Sequence, residues 1–235
     1  HVMYSHASAG SSGFIDLAAI LHPKTQLVMV DNYGHAISGP GIPVDEQAKL
    51  DQMDDAQRFA MAREGEFRMR PQAATDLMGP VGVRSHGHPN LFPNVWVTIG
   101  GLQVCLRLPR GPSKTEIWWF TIVPKGTPPA LRRAMIGTAT HLFGPAGLLE
   151  QDDGENWSQS SRAAHGVVGR TLNQYIEMGL GQDQVSVGPG GERYVDTQIN
   201  EHGQRWFYRG WRDWMAAESW AELTASLPPL PEGRI

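Results

Sequence analysis

Residues 143–157, Phe-Gly-Pro-Ala-Gly-Leu-Leu-Glu-Gln-Asp-Asp-Gly-Glu-Asn-Trp, place a cluster of acidic side chains directly after a short apolar run. Asp152 and Asp153 are adjacent, and Glu150 and Glu155 lie on either side of them. Carboxylates beside apolar residues are costly to bury unless a positive charge offsets them. A divalent metal ion would provide that charge, so the stretch predicts a metal site.

The same stretch predicts the boundary between two helices. The first helix opens at Thr127, with the threonine as its cap and prolines in its first turn, and it runs to Phe143. Gly144 and Pro145 break it, and the acidic residues then lie on a second helix that continues through Ala164.

Helical spacing divides the acidic residues between two faces. Glu150, Asp153 and Trp157 are three or four positions apart, so they neighbour each other on one face of the second helix. Asp152 points elsewhere. Spacing alone does not decide which of the two aspartates is a metal ligand.

The first six residues, His-Val-Met-Tyr-Ser-His, supply two histidines. Two histidines and one carboxylate form the facial triad of non-haem Fe(II) proteins. Five positions turn a regular helix by about 140°, so His1 and His6 converge only if the helix is distorted or ends between them. Taken alone, His6 fits a capping or solvated histidine better than a ligand, but the acidic stretch reverses that preference.

A family resemblance rests on three motifs: His1 followed by Tyr4-Ser-His-Ala-Ser8, then Phe143-Gly-Pro-Ala-Gly147, then Glu150-Gln-Asp-Asp-Gly-Glu-Asn-Trp157. The chain resembles the catalytic domain of the large (alpha) subunit of Rieske-type aromatic-ring-hydroxylating dioxygenases. The resemblance extends over nearly the whole chain. It implies one catalytic domain over residues 1–235 with an α+β fold, in which helices flank a curved antiparallel sheet (a helix-grip-like arrangement) and a mononuclear iron lies between helices.

The resemblance also implies which residues form the site. The expected Fe(II) ligands and catalytic residues are His1, His6 and Asp153, the second aspartate of the pair. The residues expected to line the substrate pocket are Phe143, Leu148, Leu149 and His86. The candidates for partners of the ligands are Glu150, Asp152, Asn156 and Gln159. For the three apolar residues, ordinary helix packing is an equally good interpretation. Leu149 is smaller than the aromatic residue found at the matching position in some members of the family, so the resemblance favours a larger ring system.

The implied reaction is the O2-dependent cis-dihydroxylation of an aromatic hydrocarbon, polycyclic or biphenyl-like. Its electrons come from NADH through a reductase, usually a ferredoxin, and a Rieske [2Fe–2S] cluster. We expect this chain to be a fragment that lacks the upstream Rieske domain and the aspartate before the first histidine, so that it carries the iron but not the complete electron path. Complete family members are commonly alpha trimers, often with beta subunits.

Three other hypotheses remain open. The substrate could be an aromatic acid such as phthalate, for which a pocket cation is needed; the candidates are Arg68, Arg70, Arg84 and Arg162. The chain could instead be a metal-free module that binds apolar ligands. It could also be a metal hydrolase that uses the histidines and Asp153 to activate water.

Composition limits the remaining classes. The 235 residues suffice for one substantial core, and the net charge of −4 gives no case for a nucleic-acid partner. The single cysteine, Cys105, excludes an internal disulfide framework and is expected to be a buried apolar residue. With no signal peptide and no apolar run that could span a membrane, we expect a cytoplasmic protein.

Local patterns predict the other elements. Strands are expected at 26–30, 95–99, 102–108 and 115–123, a hairpin from 192–199 and 204–208, a loop at 35–43, a polar helix over 44–70, a glycine-rich loop at 179–191 and an amphipathic helix over 211–223. His86 and His88 are two apart and could mark a second metal site, and His35 could line a pocket or be solvated.

Overall fold

The computed structural model describes residues 6–13, 26–54, 57, 72–98, 103–197 and 199–235. The chain divides into two compact units, each built from segments that are distant in sequence. The first unit comprises residues 1–23 and 101–175, and the second comprises residues 24–100 and 176–235.

The helices and strands of the described residues are, in chain order, α1 (Ala7–Ser11), β1 (Gln26–Val30), a 3-10 turn (Asn32–Gly34), β2 (Ala36–Pro40), α2 (Val44–Leu50), α3 (Gln72–Gly82), β3 (His88–Leu91), β4 (Val95–Thr98), β5 (Gln103–Pro109), β6 (Thr115–Thr121), α4 (Pro129–Phe143), α5 (Leu148–His165), a 3-10 turn (Gly169–Thr171), β7 (Ser186–Val187), β8 (Arg193–Thr197), α6 (His202–Ala216) and α7 (Trp220–Ser226). Every described strand pair is antiparallel.

The second unit is built on an antiparallel sheet in the order β4-β3-β2-β1-β8-β7. Strand β1 lies inside this sheet, where Val28 is opposite Ser38 on one side and Val195 on the other. Leu27 and Val28 are almost completely buried, as expected for a short apolar strand with a neighbour on each side.

Helix α6 is fixed to the turn that follows β1. The indole N–H of Trp206 donates a hydrogen bond to the carbonyl of Asp31 at 2.6 Å, and that of Trp214 donates to the carbonyl of Tyr33 at 3.1 Å. The helix approaches the turn closely because each of the two segments has a glycine at the crossing. A Cβ on Gly210 would lie 2.5 Å from the Cα of Gly34.

The first unit combines the β5–β6 hairpin with α4 and α5. Cys105 is opposite Trp119 in the hairpin, and the indole of Trp119 stacks on Phe143 at the end of α4, with ring centroids 4.7 Å apart. Gly147 allows the tight connection to α5, because a Cβ there would lie 2.4 Å from the carbonyl oxygen of Leu142.

Most predicted elements are present. The strands at 26–30, 95–98, 103–109 and 115–121, the helix that ends at Phe143 and the acidic helix are confirmed. Cys105 is fully buried, and burial raises the pKa of its thiol, which confirms a packing role. The polar helix is present over Val44–Leu50, and most of its predicted remainder lies outside the described residues.

Three local predictions are wrong. Residues 36–40 form a strand, not a loop, because β2 pairs with both β1 and β3. Residues 204–208 are helical, because the residues of α6 that are buried, such as Trp206 and Gly210, recur with helical spacing. Thr127 does not cap α4: its hydroxyl donates to the carbonyl of Pro124, and the helix begins at Pro129.

The predicted helix over 211–223 is interrupted. Helix α6 ends at Ala216, and Ser219 then caps α7 by accepting a hydrogen bond from the backbone N–H of Glu222. Among the residues that the structure describes, none of the helices combines the length and the apolar character needed to cross a bilayer.

Candidate metal site

Helix α5 positions the acidic residues through its local sequence. Leu149 and Asp153, four positions apart, are its buried residues, each 8% exposed. Glu150 is half-buried. The outer face, which carries Glu155 and Gln159, is exposed, and the amide of Gln159 donates to Glu155 at 2.5 Å. The helix therefore presents Asp153 to the protein interior on its apolar side.

His6 lies against both aspartates. Its Nε2 is 3.4 Å from Oδ1 of Asp153, and its Nδ1 is 3.7 Å from Oδ2 of Asp152. The hydroxyl of Ser8 donates to Oδ2 of Asp152 at 2.6 Å. Helical spacing predicts Asp152 on a different face from Asp153, yet the imidazole is within reach of both carboxylates. The two aspartates therefore approach different nitrogens of the same ring.

Burial affects the ionisation of the acidic side chains beside His6. Burial raises the pKa of the Asp153 carboxyl, and the neighbouring charge of Asp152 adds to the rise, while His6 and Arg107 oppose it. Burial also raises the pKa of the Glu150 carboxyl. A cation placed between these groups would favour their ionised forms.

The donor chemistry fits iron. An imidazole nitrogen and a carboxylate oxygen belong to the set that non-haem Fe(II) takes from proteins. Within the described part of the chain, no group of three His, Cys, Asp or Glu side chains is assembled to hold a metal ion. His1, the remaining expected ligand, lies outside the described residues. The described residues therefore supply two of the three expected ligands.

Arg107 is a site residue that the sequence pattern did not reveal. Its guanidinium carbon lies 5.4 Å from the centre of the Trp157 ring, one turn of α5 beyond Asp153. Its positive charge opposes the rise that burial causes in the pKa of Asp153 and of Glu150. The only sequence signal was its position on β5, two residues after Cys105, which places both side chains on the same strand face.

The expected pocket residues divide between the two units. Phe143 and Leu149 are buried and Leu148 is partly exposed, all in the first unit. Phe143 packs on Trp119. His86 belongs to the second unit and is partly exposed, and its backbone N–H donates to the carbonyl of Pro40 at 2.8 Å.

The other sequence candidates have structural contacts. The ring nitrogen Nδ1 of His35 accepts a hydrogen bond from the backbone N–H of Phe92 at 2.9 Å, which makes His35 a structural residue. Asn156 donates to the backbone carbonyl of Asp152. Arg84 is buried, donating to Asp196 at 2.5 Å and to the carbonyl of Ile42. Arg162 is exposed, while Arg68 and Arg70 lie outside the described residues.

Comparisons with known proteins identify the family of this chain. Residues 1–217 match the family described as ring hydroxylating alpha subunit (catalytic domain). The large oxygenase component of the naphthalene 1,2-dioxygenase system of Pseudomonas fluorescens is 30% identical over 231 residues, which are 95% of this chain and 50% of that protein. The alpha subunit of biphenyl 2,3-dioxygenase of Rhodococcus jostii (strain RHA1) is 31% identical over 145 residues, or 62% of this chain and 31% of that protein.

The fold is also found in solved structures. Naphthalene 1,2-dioxygenase with indole bound in its active site aligns with 96% of this chain and 51% of its own, with a TM-score of 0.72 and 24% identity. The chain spans about half the length of the naphthalene dioxygenase components that it matches along most of its sequence. The family match covers both units and includes His6, Asp152 and Asp153, so the chain belongs to the catalytic-domain family of ring-hydroxylating alpha subunits.

Proposed function

We propose that this chain is the iron-containing catalytic part of an enzyme that adds both oxygen atoms of O2 to adjacent carbons of an aromatic hydrocarbon. The observation that supports this most directly is the buried pair of His6 and Asp153, with Nε2 and Oδ1 3.4 Å apart. The family match over residues 1–217 supports the reaction class. Under this proposal, residues 1–235 act as one catalytic domain, consistent with a match that spans both units.

In this proposal His1, His6 and Asp153 hold one Fe(II). These three side chains would hold the ion, and the iron would supply the redox chemistry that activates O2. The chain's own part is to hold these ligands in place. Asp152 accepts a hydrogen bond from Ser8 and approaches Nδ1 of His6, so that it orients the imidazole with Nε2 towards Asp153.

The substrate would be an apolar ring. Phe143, Leu148 and Leu149 are proposed to form the apolar wall beside the metal, and His86 is proposed as a further substrate-binding residue. An apolar wall excludes water and matches a hydrocarbon, which offers few polar groups to bind. Polycyclic and biphenyl-like rings agree with the names of the naphthalene and biphenyl dioxygenase relatives.

We propose a hydrocarbon rather than an aromatic acid as the substrate. An acid requires a cation in the pocket, and the buried candidate Arg84 is already paired with Asp196 at 2.5 Å. Using Arg84 would break this ion pair, in which the Asp196 side chain is partly exposed. We rank the aromatic-acid reaction second.

Electrons must come from other protein parts. We propose NADH as their source, with a reductase and a ferredoxin delivering them through a Rieske [2Fe–2S] cluster. The relatives are named as large components of oxygenase systems, which supports an assembly of several components. An alpha trimer, with or without beta subunits, is the proposed form.

The experiment that tests this function is an anaerobic Fe(II) titration of the chain, of Asp153→Ala and of His6→Ala. We expect one tight equivalent in the unchanged protein and its loss in both variants. Glu155→Gln on the exposed face of α5 is the matched control and should bind like the parent. Binding that survives in both ligand variants would place the metal elsewhere and refute the triad.

The reaction needs a separate measurement. With a Rieske protein and its reductase supplied, we expect NADH- and O2-dependent formation of a cis-diol from naphthalene or biphenyl, absent in Asp153→Ala. Metal-dependent product formation under strict exclusion of O2 would favour the hydrolase hypothesis instead. Unchanged affinity for the apolar ligand in Asp153→Ala, together with no metal binding in the parent, would favour the metal-free module.

A further inference from the structure

A cavity of about 180 Å³ lies in the second unit, between helix α6 and the inner strands of the sheet. Its apolar wall includes Val28 of β1, Val195 of β8 and Trp206 of α6, which are 2%, 4% and 9% exposed. None of the residues proposed for the metal site lines it. A dry apolar cavity of about 150 Å³ is large enough to hold benzene, so this one has room for a single aromatic ring.

The polar side of the cavity is positively charged. Arg193, Arg205 and Arg209 line it, and none of its lining residues, all of which lie in the described part of the chain, is an Asp or a Glu. Guanidinium groups form strong bidentate hydrogen bonds with carboxylates. A cavity with an aliphatic and indole wall and a guanidinium rim matches an organic acid better than a neutral hydrocarbon.

One of these arginines is held by the protein. Arg205 donates to the carbonyls of Ile176 at 3.0 Å and Met178 at 3.2 Å, and its other terminal nitrogen contacts Nδ1 of His202. The hydrogen-bonding capacity of this group is therefore largely used by the protein. Its role is to contribute positive charge at a fixed position.

The other two arginines retain donors. Arg193 contacts the carbonyl of Gly191 and the carboxylate of Glu232, but its Nε is buried and has no hydrogen-bond acceptor among the described residues. The guanidinium of Arg209 lies 5.1 Å from the centre of the Trp206 ring and forms no ion pair within the described ranges. A buried donor without an acceptor is unfavourable unless a ligand supplies one.

We propose that this cavity binds a small carboxylic acid as its anion, with an apolar body about the size of one aromatic ring. The carboxylate accepts hydrogen bonds from Arg193 Nε and from Arg209, and the ring lies against the valines and Trp206. This binding site is independent of the proposed iron site and goes beyond the proposed reaction.

The test is isothermal titration of the whole chain with benzoate in a chloride buffer without carboxylates. Benzyl alcohol is the uncharged probe of similar shape, and acetate is the anion without a ring. We expect one benzoate site with Kd at or below about 1 mM, and binding at least about tenfold weaker for each of the other two probes.

Variants locate the site. Arg209→Gln and Arg193→Gln should each raise the benzoate Kd by about tenfold or more, since each removes a charged donor. Arg212→Gln is the matched control, because Arg212 lies on the same helix but is exposed and paired with Asp213. Circular dichroism of each variant confirms that it is folded. Asp153→Ala should bind benzoate normally, which separates this site from the proposed iron site.

Several results would overturn the proposal. These are no benzoate binding up to about 10 mM, equal affinity for benzyl alcohol, or an equal loss of affinity in the folded Arg212→Gln control. Benzoate affinity that falls in Asp153→Ala but not in Arg209→Gln would place the ligand at the proposed iron site. The benzoate experiment does not depend on Fe(II) binding. A chain that binds no Fe(II) would refute the proposed iron site and leave the proposal for this cavity standing.

Discussion

At the scale of single residues, Asp152 and Asp153 are neighbours that should behave differently. Asp153 is buried against Nε2 of His6, whereas Asp152 accepts a hydrogen bond from Ser8 and approaches Nδ1 of the same ring. Under the proposed function, Asp153 binds the metal and Asp152 orients the histidine. Replacing each by its amide keeps the volume of the side chain, removes the charge and exchanges one acceptor oxygen for an NH2 donor.

We predict that Asp152→Asn weakens Fe(II) binding by about 10- to 100-fold, the usual cost of losing a residue that orients a metal ligand. Asp153→Asn should remove measurable binding. Ser8→Ala deletes one hydrogen bond to Asp152 and should have a smaller effect than Asp152→Asn. Anaerobic titration of the three variants beside Glu155→Gln measures these differences. An Asp152→Asn affinity equal to that of the parent would show that Asp152 does not orient His6.

Sequence patterns predicted part of this residue-level arrangement. The acidic stretch and the early histidines marked His6 and Asp153 as candidates, and the structure brings those two together. Asp152 was expected on another helix face from Asp153 and as a candidate partner of the ligands, and it approaches the other nitrogen of the same imidazole. Arg107 was not predicted, because its closeness to α5 depends on how the hairpin packs, and no local pattern encodes that packing.

At the scale of elements, the crossing of α6 over the turn after β1 depends on two glycines. A Cβ on Gly210 would lie 2.5 Å from the Cα of Gly34 and 3.0 Å from its nitrogen, which are backbone atoms. Gly34 itself has φ +84°, a conformation that favours glycine. The helix cannot keep its present distance from the turn if either residue acquires a side chain.

We predict that Gly210→Ala lowers the free energy of unfolding by about 1–3 kcal/mol, because the helix must shift away from the turn. The matched control is Gly137→Ala in α4, where a Cβ would meet nothing within 4 Å. Removing a glycine from a helix interior there should stabilise by about 0.5–1 kcal/mol. Urea denaturation measures both values. Equal effects at the two sites would mean that the crossing tolerates a methyl group.

Element prediction succeeded where one local pattern dominated. The apolar run at 26–30 and the break at Gly144 each determine a structure by themselves. Residues 204–208 were misassigned because aromatic residues favour strands in isolation, whereas here Trp206 and Gly210 pack at helical spacing. Residues 36–40 were misassigned because their glycine and proline indicate a loop, although β1 and β3 supply partners on both sides.

At the scale of the whole molecule, the second unit depends on long-range pairing. Strand β1 pairs with β8, so that Val28 lies opposite Val195, and the two strands come from opposite ends of the chain. The sequence predicts both as strands, and the family resemblance implies that they belong to an antiparallel sheet. Pairing of distant strands follows from the assembly of the complete core, which local periodicity does not record.

Near β8, Asp183 links distant segments of this unit and gives its stability a defined dependence on pH. It accepts hydrogen bonds from Thr197 at 2.5 Å and from Nε2 of His202 at 2.7 Å. Burial raises the pKa of the Asp183 carboxyl, but these hydrogen bonds and the nearby charges of His202 and Arg205 outweigh it, so the pKa is below its ordinary value of 3.8.

Because the folded pKa of Asp183 is the lower one, its ionised form stabilises the folded state. This contribution is complete above pH values near 3.8 and is lost as the pH falls through the folded pKa.

We predict that Asp183→Asn lowers the free energy of unfolding at pH 7 and that its difference from the parent shrinks below pH 4. Urea denaturation at several pH values measures the free energy of unfolding of the parent and of the variant. The other carboxyls titrate in both proteins, so their contribution cancels in the difference between the two. The exposed Glu177→Gln is the control and should differ little from the parent throughout. A parent-to-variant difference that stays constant down to pH 2.5 would show that the Asp183 carboxylate does not stabilise the fold through its charge.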